Sequence, residues 1–290
     1  MQFILQLLVQ GLAMGAIYSL VALGFVLLVN AVNIINFAQG EFVMLGAFLA
    51  YTFSATMHWP YWAVVIGVTI SAGLIGVIFE RTAYYPLRGR EPSTFLVSTL
   101  AASVFLRNLA QQIWGPVPFS FTEPFGQEVL KAGAVTIVPQ YLLILGATAL
   151  LVGALFWFLF RTRLGKMMRA ASQDRVAAQV IGIRVEMIGI VTFIIAAASG
   201  AMAGVLVAPI FFVSIEMGFG LGLKAFIATI IGGWGSVPGA IAGGFLLGVL
   251  EVAASAFNST YKDIFAFGIL ILFLIALPKG IFGEKIAEKA

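Results

Sequence analysis

The sequence has no cysteine and a single histidine, His58, in 290 residues. Without cysteine there is no disulfide, no thiolate metal site and no cysteine nucleophile. The histidine lies next to Trp59-Pro60, in a loop between hydrophobic runs, so an intramembrane histidine enzyme is excluded as well. Charge is also scarce. Only 10% of residues are charged and 61% are hydrophobic, against about 25% charged in a soluble domain, which makes this a membrane protein. No Gly-Lys-Ser/Thr phosphate loop is present, so the chain does not hydrolyse a nucleotide itself. Ser236 lacks the glycine two residues on that a nucleophile elbow requires, which removes a serine hydrolase. The start, MQFILQLLVQG, has no basic n-region of a cleaved leader, and the first run is read as a mature span. A net charge of +4 gives no reason to invoke nucleic acid.

What is present is a series of hydrophobic runs, at about 3–29, 42–57, 62–79, 94–113, 141–160, 187–208, 224–257 and 264–278. In lipid the backbone satisfies its hydrogen bonds only as a helix or a closed barrel, and the alternation of a barrel is absent. The expectation is an all-α, polytopic integral membrane protein with roughly eight to ten transmembrane helices. It forms a single transmembrane domain over residues 1–290. Twelve of the sixteen Lys and Arg fall in three places: Arg81, Arg88 and Arg90; Arg161, Arg163, Lys166, Arg169, Arg175 and Arg184; Lys279, Lys285 and Lys289. Basic residues in short loops mark the cytoplasmic side. This puts 80–93, 161–186 and the C-terminus inside, and the connection 114–140 outside. That loop, with Pro116, Pro118, Pro124, Pro139, Glu123, Glu128 and Lys131, reads as an ordered but irregular cap.

Two elements are interrupted. The first break is Asn33 to Glu41, "NIINFAQGE", with Asn33, Asn36, Gln39, Gly40 and Glu41 between apolar runs. Glu41 near the bilayer centre would cost about 2.5–3.5 kcal/mol if unpaired, and buried amides need partners. Two readings stand together: a polar segment lining a water-filled route, or amides that cap helix ends, with Glu41 near the positive end of the next helix. The second break is "GGWGSVPG", with Gly232, Gly233, Gly235, Ser236 and Gly239; it is either close packing through small residues or a hinge in a pathway. Paired broken segments point to a transport path. Parity leaves the N-terminus inside if 30–41 is a broken span and outside if it is not; the inside reading is preferred. Lys224 and Glu216 read as loop-exposed. Glu251, between Leu250 and Val252, should face a partner helix or a cavity.

In 161–186, Met167, Ala170, Ala171, Ala177, Ala178 and Ile181 recur at helical spacing, which predicts one amphipathic helix from Lys166 to Ile181 that ends at Gly182. No opposite charges meet within it. Its charged groups are free to meet water or another protein.

Four stretches in this order resemble the membrane permease subunits of branched-chain amino acid ABC importers, over nearly the whole chain. They are Ile35 to Glu41 ("INFAQGE"); Gly165, Arg169, Ala170, Asp174, Ala178, Gly182 and Ile183 ("GxxxRAxxxDxxxAxxxGI"); Gly222 to Gly244 ("GLKAFxAxxxGGxGSxPGAxxGG"); and Tyr261-Lys262-Asp263 to Phe267 followed by Pro278-Lys279-Gly280. The chain is most similar to the smaller, high-affinity leucine/isoleucine/valine type. Gln39 stands where many relatives carry histidine, and a neutral amide cannot titrate. The resemblance implies a transport subunit of the bacterial inner membrane that is not itself an enzyme and carries no cofactor. ATP would be bound by two ABC ATPase subunits. The further partners it implies are a second, larger permease as heterodimer, a periplasmic substrate-binding protein and the lipid bilayer. The segment 165–182 would be the coupling helix, bounded by Gly165 and Gly182, with Arg169 and Asp174 hydrogen-bonding to the ATPase. The alternatives are an ABC permease for urea or short amides, and an ion-coupled secondary transporter or channel using Glu41 and Glu251.

Overall fold

The computed structural model describes residues 2–121, 130–132, 135–257, 262–277 and 280–282. Glu123, Pro124 and Glu128 of the external loop, Tyr261, Pro278-Lys279, Lys285 and Lys289 lie outside the described residues. The helices are α1 (Gln2–Val32), α2 (Gln39–Tyr51), α3 (Tyr61–Phe79), α4 (Pro92–Trp114), α5 (Pro139–Arg161), α6 (Arg163–Gln173), α7 (Arg175–Val180), α8 (Val185–Val207), α9 (Met217–Gly232), α10 (Val237–Phe257) and α11 (Lys262–Ala276). Single π-helical turns extend α2 over Thr52–Thr56 and α3 over Glu80–Tyr84. Among the described residues six helices are long and apolar enough to cross a membrane: α1, α3, α4, α5, α8 and α10. The hydrophobic runs of the sequence correspond to these helices and to the shorter α2, α9 and α11.

The external loop is less irregular than expected. Within it, β1 (Leu130–Ala132) and β2 (Val135–Ile137) form an antiparallel hairpin, with Leu130 opposite Ile137. Val135-Thr136-Ile137 is a β-branched run, the type that suits a strand. Phe119 also exchanges backbone hydrogen bonds with Val213 beyond α8, at 3.0 and 2.9 Å.

Helix α1 is the axis of the fold, buried from Gly11 almost without interruption to Val32. Small residues let the neighbouring backbones close on it, as packing in lipid favours. Gly11 meets Val249, Gly15 meets Phe245, and Ser19 meets Gly244 across the α1–α10 crossing. Gly46 against Ala201 and Gly204 against Val43 close α2 on α8, and Gly76 against Phe193 closes α3 on α8. The outer wall is apolar: Trp62, Ile66, Ile70, Leu74 and Ile78 lie exposed at four-residue intervals on α3, a stripe suited to lipid.

These contacts bear on the side of the N-terminus. Helix α1 crosses as one unbroken element before the first break begins. Its start lies beside the end of α10, while its last carbonyl, that of Val32, accepts a hydrogen bond from Arg175 of α7. The N-terminal end of α1 is therefore on the face opposite to α6 and α7, which is outside if the basic segments are inside.

The 161–186 segment is also corrected. It is two helices rather than one, because Asp174 leaves the helical conformation (φ −152°, ψ 110°) and caps α7. Gly165 does not bound the first helix. Thr162 does, its hydroxyl oxygen accepting from the Gly165 amide at 3.0 Å, while Gly165 packs against Phe158 and Leu159. Gly182, at φ +86°, does end the second helix.

Candidate functional site

The first break is held by its own amides. Asn33 follows the end of α1 with φ +55°, a left-handed conformation that Asn tolerates better than most residues. It is not an N-cap as expected: its amide donates back to Val29 at 2.9 Å. Asn36 makes the turn into α2, its Oδ1 accepting from the Ala38 amide at 3.0 Å. Gln39 donates from Nε2 to the Ala196 carbonyl of α8 at 2.8 Å. Gly40 lies backbone to backbone against Gly218 and Gly222 of α9. Glu41 is in the first turn of α2, as expected, and fully buried.

Glu41 has partners that sequence reasoning missed, all on α4. Ser103 donates to Glu41 Oε1 at 2.7 Å, and Arg107 Nε lies 3.2 Å from the same oxygen. Arg107 Nη2 also donates to the Ser103 hydroxyl at 3.2 Å, and its guanidinium sits 4.9 Å from the ring centre of Phe219. One turn back, the Thr99 hydroxyl accepts from the Phe37 amide at 3.3 Å. Thr99, Ser103 and Arg107 are four residues apart and so form one stripe along α4. The signal was there to find: an arginine inside the 94–113 run, away from the basic loops, with hydroxyl residues four and eight positions before it.

The second break is a capped turn. Gly233 and Gly235 take φ +113° and +80°. Ser236 accepts the Gly239 amide at 3.1 Å on its hydroxyl, which starts α10, and Gly232 abuts Gly239 so closely that a side chain on either would clash. Ile281 and Phe282 donate to the Ile231 and Gly232 carbonyls, both at 2.9 Å. Packing through small residues therefore accounts for this geometry.

The fold brings the two breaks together. Asn30, at the end of α1, donates to the Gly235 carbonyl at 2.8 Å. Phe37 of one break and Trp234 of the other both pack against Phe226, with ring centres 5.5 and 6.0 Å away. A cavity of about 220 Å³ lies between Asn33, Ile35, Leu96 and Trp234. A larger one, about 710 Å³, opens between the second break and α6 and is lined by Asn30, Arg169, Ser172, Gln173 and Ser236 among others. Glu251 is elsewhere. It accepts from Tyr18 of α1 at 2.6 Å and pairs with Lys224 of α9 at 2.5 Å. Lys224 is thus a helix residue tied to Glu251 rather than a loop-exposed cation.

On the α6–α7 arm, Met168, Ala171 and Ala178 are buried against the bundle and Ala170 is half-buried. Arg169 stacks over Phe160 at 4.4 Å. Asp174 Oδ1 accepts the amides of Val176 and Ala177 at 2.8 and 3.0 Å. Both residues thus have partners within the chain. Arg175 ties the arm to the first break: its guanidinium donates to the Val32 carbonyl at 3.3 Å and to the Tyr84 hydroxyl at 3.1 Å. Val176 and Val180, one turn apart, point outward and are 71% and 82% exposed.

Residues 7–274 match the family model described as branched-chain amino acid transport system / permease component. The chain belongs to this family. It is 34% identical over 301 residues to the high-affinity branched-chain amino acid transport system permease protein LivH of Salmonella typhimurium, covering 99% of this chain and 98% of that one. It is 38% identical to the corresponding BraD of Pseudomonas aeruginosa, covering 98% and 97%. Among solved structures, PsaBC from Streptococcus pneumoniae in complex with Fab has a similar fold, with a TM-score of 0.50 over 97% of this chain and 94% of that one at 13% identity. In this permease the motif Ile35 to Glu41 covers the later part of the first break and the first turn of α2, and Gly222 to Gly244 runs from within α9 through the second break into α10.

Proposed function

We propose that this permease imports branched-chain amino acids (leucine, isoleucine and valine) across the bacterial inner membrane as one subunit of an ATP-driven transporter. The near full-length likeness to LivH and BraD carries the reading. A second, larger permease completes the pathway, and a periplasmic binding protein delivers the solute. Two ABC ATPase subunits bind the ATP and dock on the α6–α7 arm, with 80–93, 161–186 and the C-terminus on their side. The outward-facing Val176 and Val180 support the docking, since a pair of exposed aliphatic side chains on a short cytoplasmic helix suits a protein groove. The hydrogen bonds from Arg175 support coupling, because they join that arm to the helix end at which the first break begins. The two joined breaks, with Trp234 lining a cavity in each of two places, support a path that opens by rearranging them.

The test is reconstitution of this chain with the larger permease, the two ATPases and the binding protein in proteoliposomes. ATP-dependent leucine uptake, competed by isoleucine and valine and not by urea, is the expected result. Competition by urea alone would move the assignment to amides. Uptake by this chain alone under an ion gradient would replace the ATP-driven reading.

A further inference from the structure

We propose that Arg107 receives the carboxylate of the solute as it passes along α4, with Glu41 and Ser103 as the residues that position it. This inference rests on the amino-acid reading above and adds a site to it. Arg107 is in the interior of a span, where a cation is costly and therefore functional by default. Neutralising Glu41 does not account for its geometry. A guanidinium that served only as counter-ion would set its fork against both carboxylate oxygens. Here Nε alone lies near Glu41 Oε1, and one Nη2 hydrogen goes to Ser103. Glu41 Oε2 is buried beside Gly218 and has no hydrogen-bond donor among the described residues. Arg107 is thus held by one hydrogen bond, to Ser103, and by an ion pair with Glu41 in which its buried Nε–H is not aligned as a hydrogen bond. Of its five N–H groups, those on the other edge have no acceptor among the described residues.

Exposure separates the two charges. The Arg107 side chain is 29% accessible and that of Glu41 is 0%, so a solute at this surface meets the cation and not the anion. Beside Arg107 on the same face of α4, Leu100 and Val104 are exposed, and the half-exposed ring of Phe219 lies against the guanidinium. A cation fork flanked by an aliphatic wall matches a carboxylate that carries a branched aliphatic chain. Glu41 also keeps the site weak. It offsets the arginine's charge, so the solute is held only transiently, as conduction needs.

The experiment uses the complete reconstituted complex and reads leucine uptake together with ATP hydrolysis stimulated by the binding protein. Arg107→Gln should lower uptake about thirtyfold, the loss expected when charge-assisted hydrogen bonds are removed. The subunits should still co-purify and stimulated hydrolysis should persist. The deciding variant is the double Glu41→Gln/Arg107→Gln, which leaves no unpaired charge. If Arg107 only neutralised Glu41, the double variant would recover uptake; if Arg107 receives the carboxylate, uptake stays as low as in the single variant. Recovery overturns the assignment while leaving the amino-acid reading intact. A wild-type complex that imports an uncharged amide and no amino acid overturns both.

Discussion

Replacing Asp174 by asparagine and by alanine separates two roles open to its carboxylate. In the structure one oxygen, Oδ1, accepts both the Val176 and the Ala177 amides, at 2.8 and 3.0 Å. Helix α7 has six residues, far too few to persist without tertiary support and caps. Removing an aspartate cap costs about 1 kcal/mol, whereas asparagine caps as well as aspartate does. At 1.4 kcal/mol per factor of ten, that loss lowers the equilibrium constant for ordering α7 about fivefold. Since α7 presents Val176 and Val180, the docking of the ATPase should weaken by up to the same factor in Asp174→Ala and by less than about twofold in Asp174→Asn. The assay is a titration of the purified permease pair in detergent with the ATPase subunit. If asparagine is as damaging as alanine, the charge itself meets the partner and the capping argument is wrong. If both variants bind like wild type, α7 does not carry the docking surface.

Three further outcomes follow from packing and pairing. A methyl group on Gly204 would fall on the Val43 carbonyl and against the Ala47 amide, so Gly204→Ala should lower stability by about 1–3 kcal/mol, as overpacking does. The melting temperature of the complex reads this, with Gly153→Ala, where nothing lies within 4 Å, as the control that loses no stability. Glu251→Ala removes one side of a pair whose side chains are 9% and 14% exposed, and should cost about 3–5 kcal/mol, most of it recovered in the double Lys224→Met/Glu251→Leu. Arg175→Gln should keep stimulated ATP hydrolysis but lower leucine imported per ATP, because it cuts the hydrogen bonds between the arm and Val32 and Tyr84; an unchanged ratio would show that coupling takes another route.

The helices were legible because lipid enforces them: each apolar run had to become a helix, and α3, α4, α5 and α8 begin and end within about three residues of the runs that predicted them. The turn chemistry of the breaks was legible only in part: Asn36 bonds backbone locally, as an amide near a helix start does, whereas the capping of Gly239 by Ser236 was not read. The partners of Glu41 were not. Ser103 and Arg107 are some sixty residues further along the chain, and only the packing of α4 beside α2 brings them to it. The same holds for Lys224 and Glu251, 27 residues apart across the second break. The break at Asp174 was misread because helical periodicity on either side continues in nearly the same phase. The aspartate has to be recognised as a better cap than interior residue.

The pairing of the intramembrane charges also bears on the source of energy. An ion-coupled carrier needs a carboxylate able to hold a cation. Glu41 has Arg107 at 3.2 Å and Glu251 has Lys224 at 2.5 Å. A sodium ion at either carboxylate would compete with a cation fixed in place; at about 4 Å and an effective dielectric of 20, two like charges repel by about 4 kcal/mol. That repulsion cancels most of what a single buried carboxylate offers to an ion. Other charged groups near the first break are Arg88 and Arg90, which share a cavity with Asn33 and Ile34, and Arg175 of the α6–α7 arm, which touches the end of α1. Under the proposed coupling, movement of that arm by a partner would need no ion to enter the membrane, since Arg175 already bonds the Val32 carbonyl, one residue before the left-handed Asn33 at which the backbone departs from the helix.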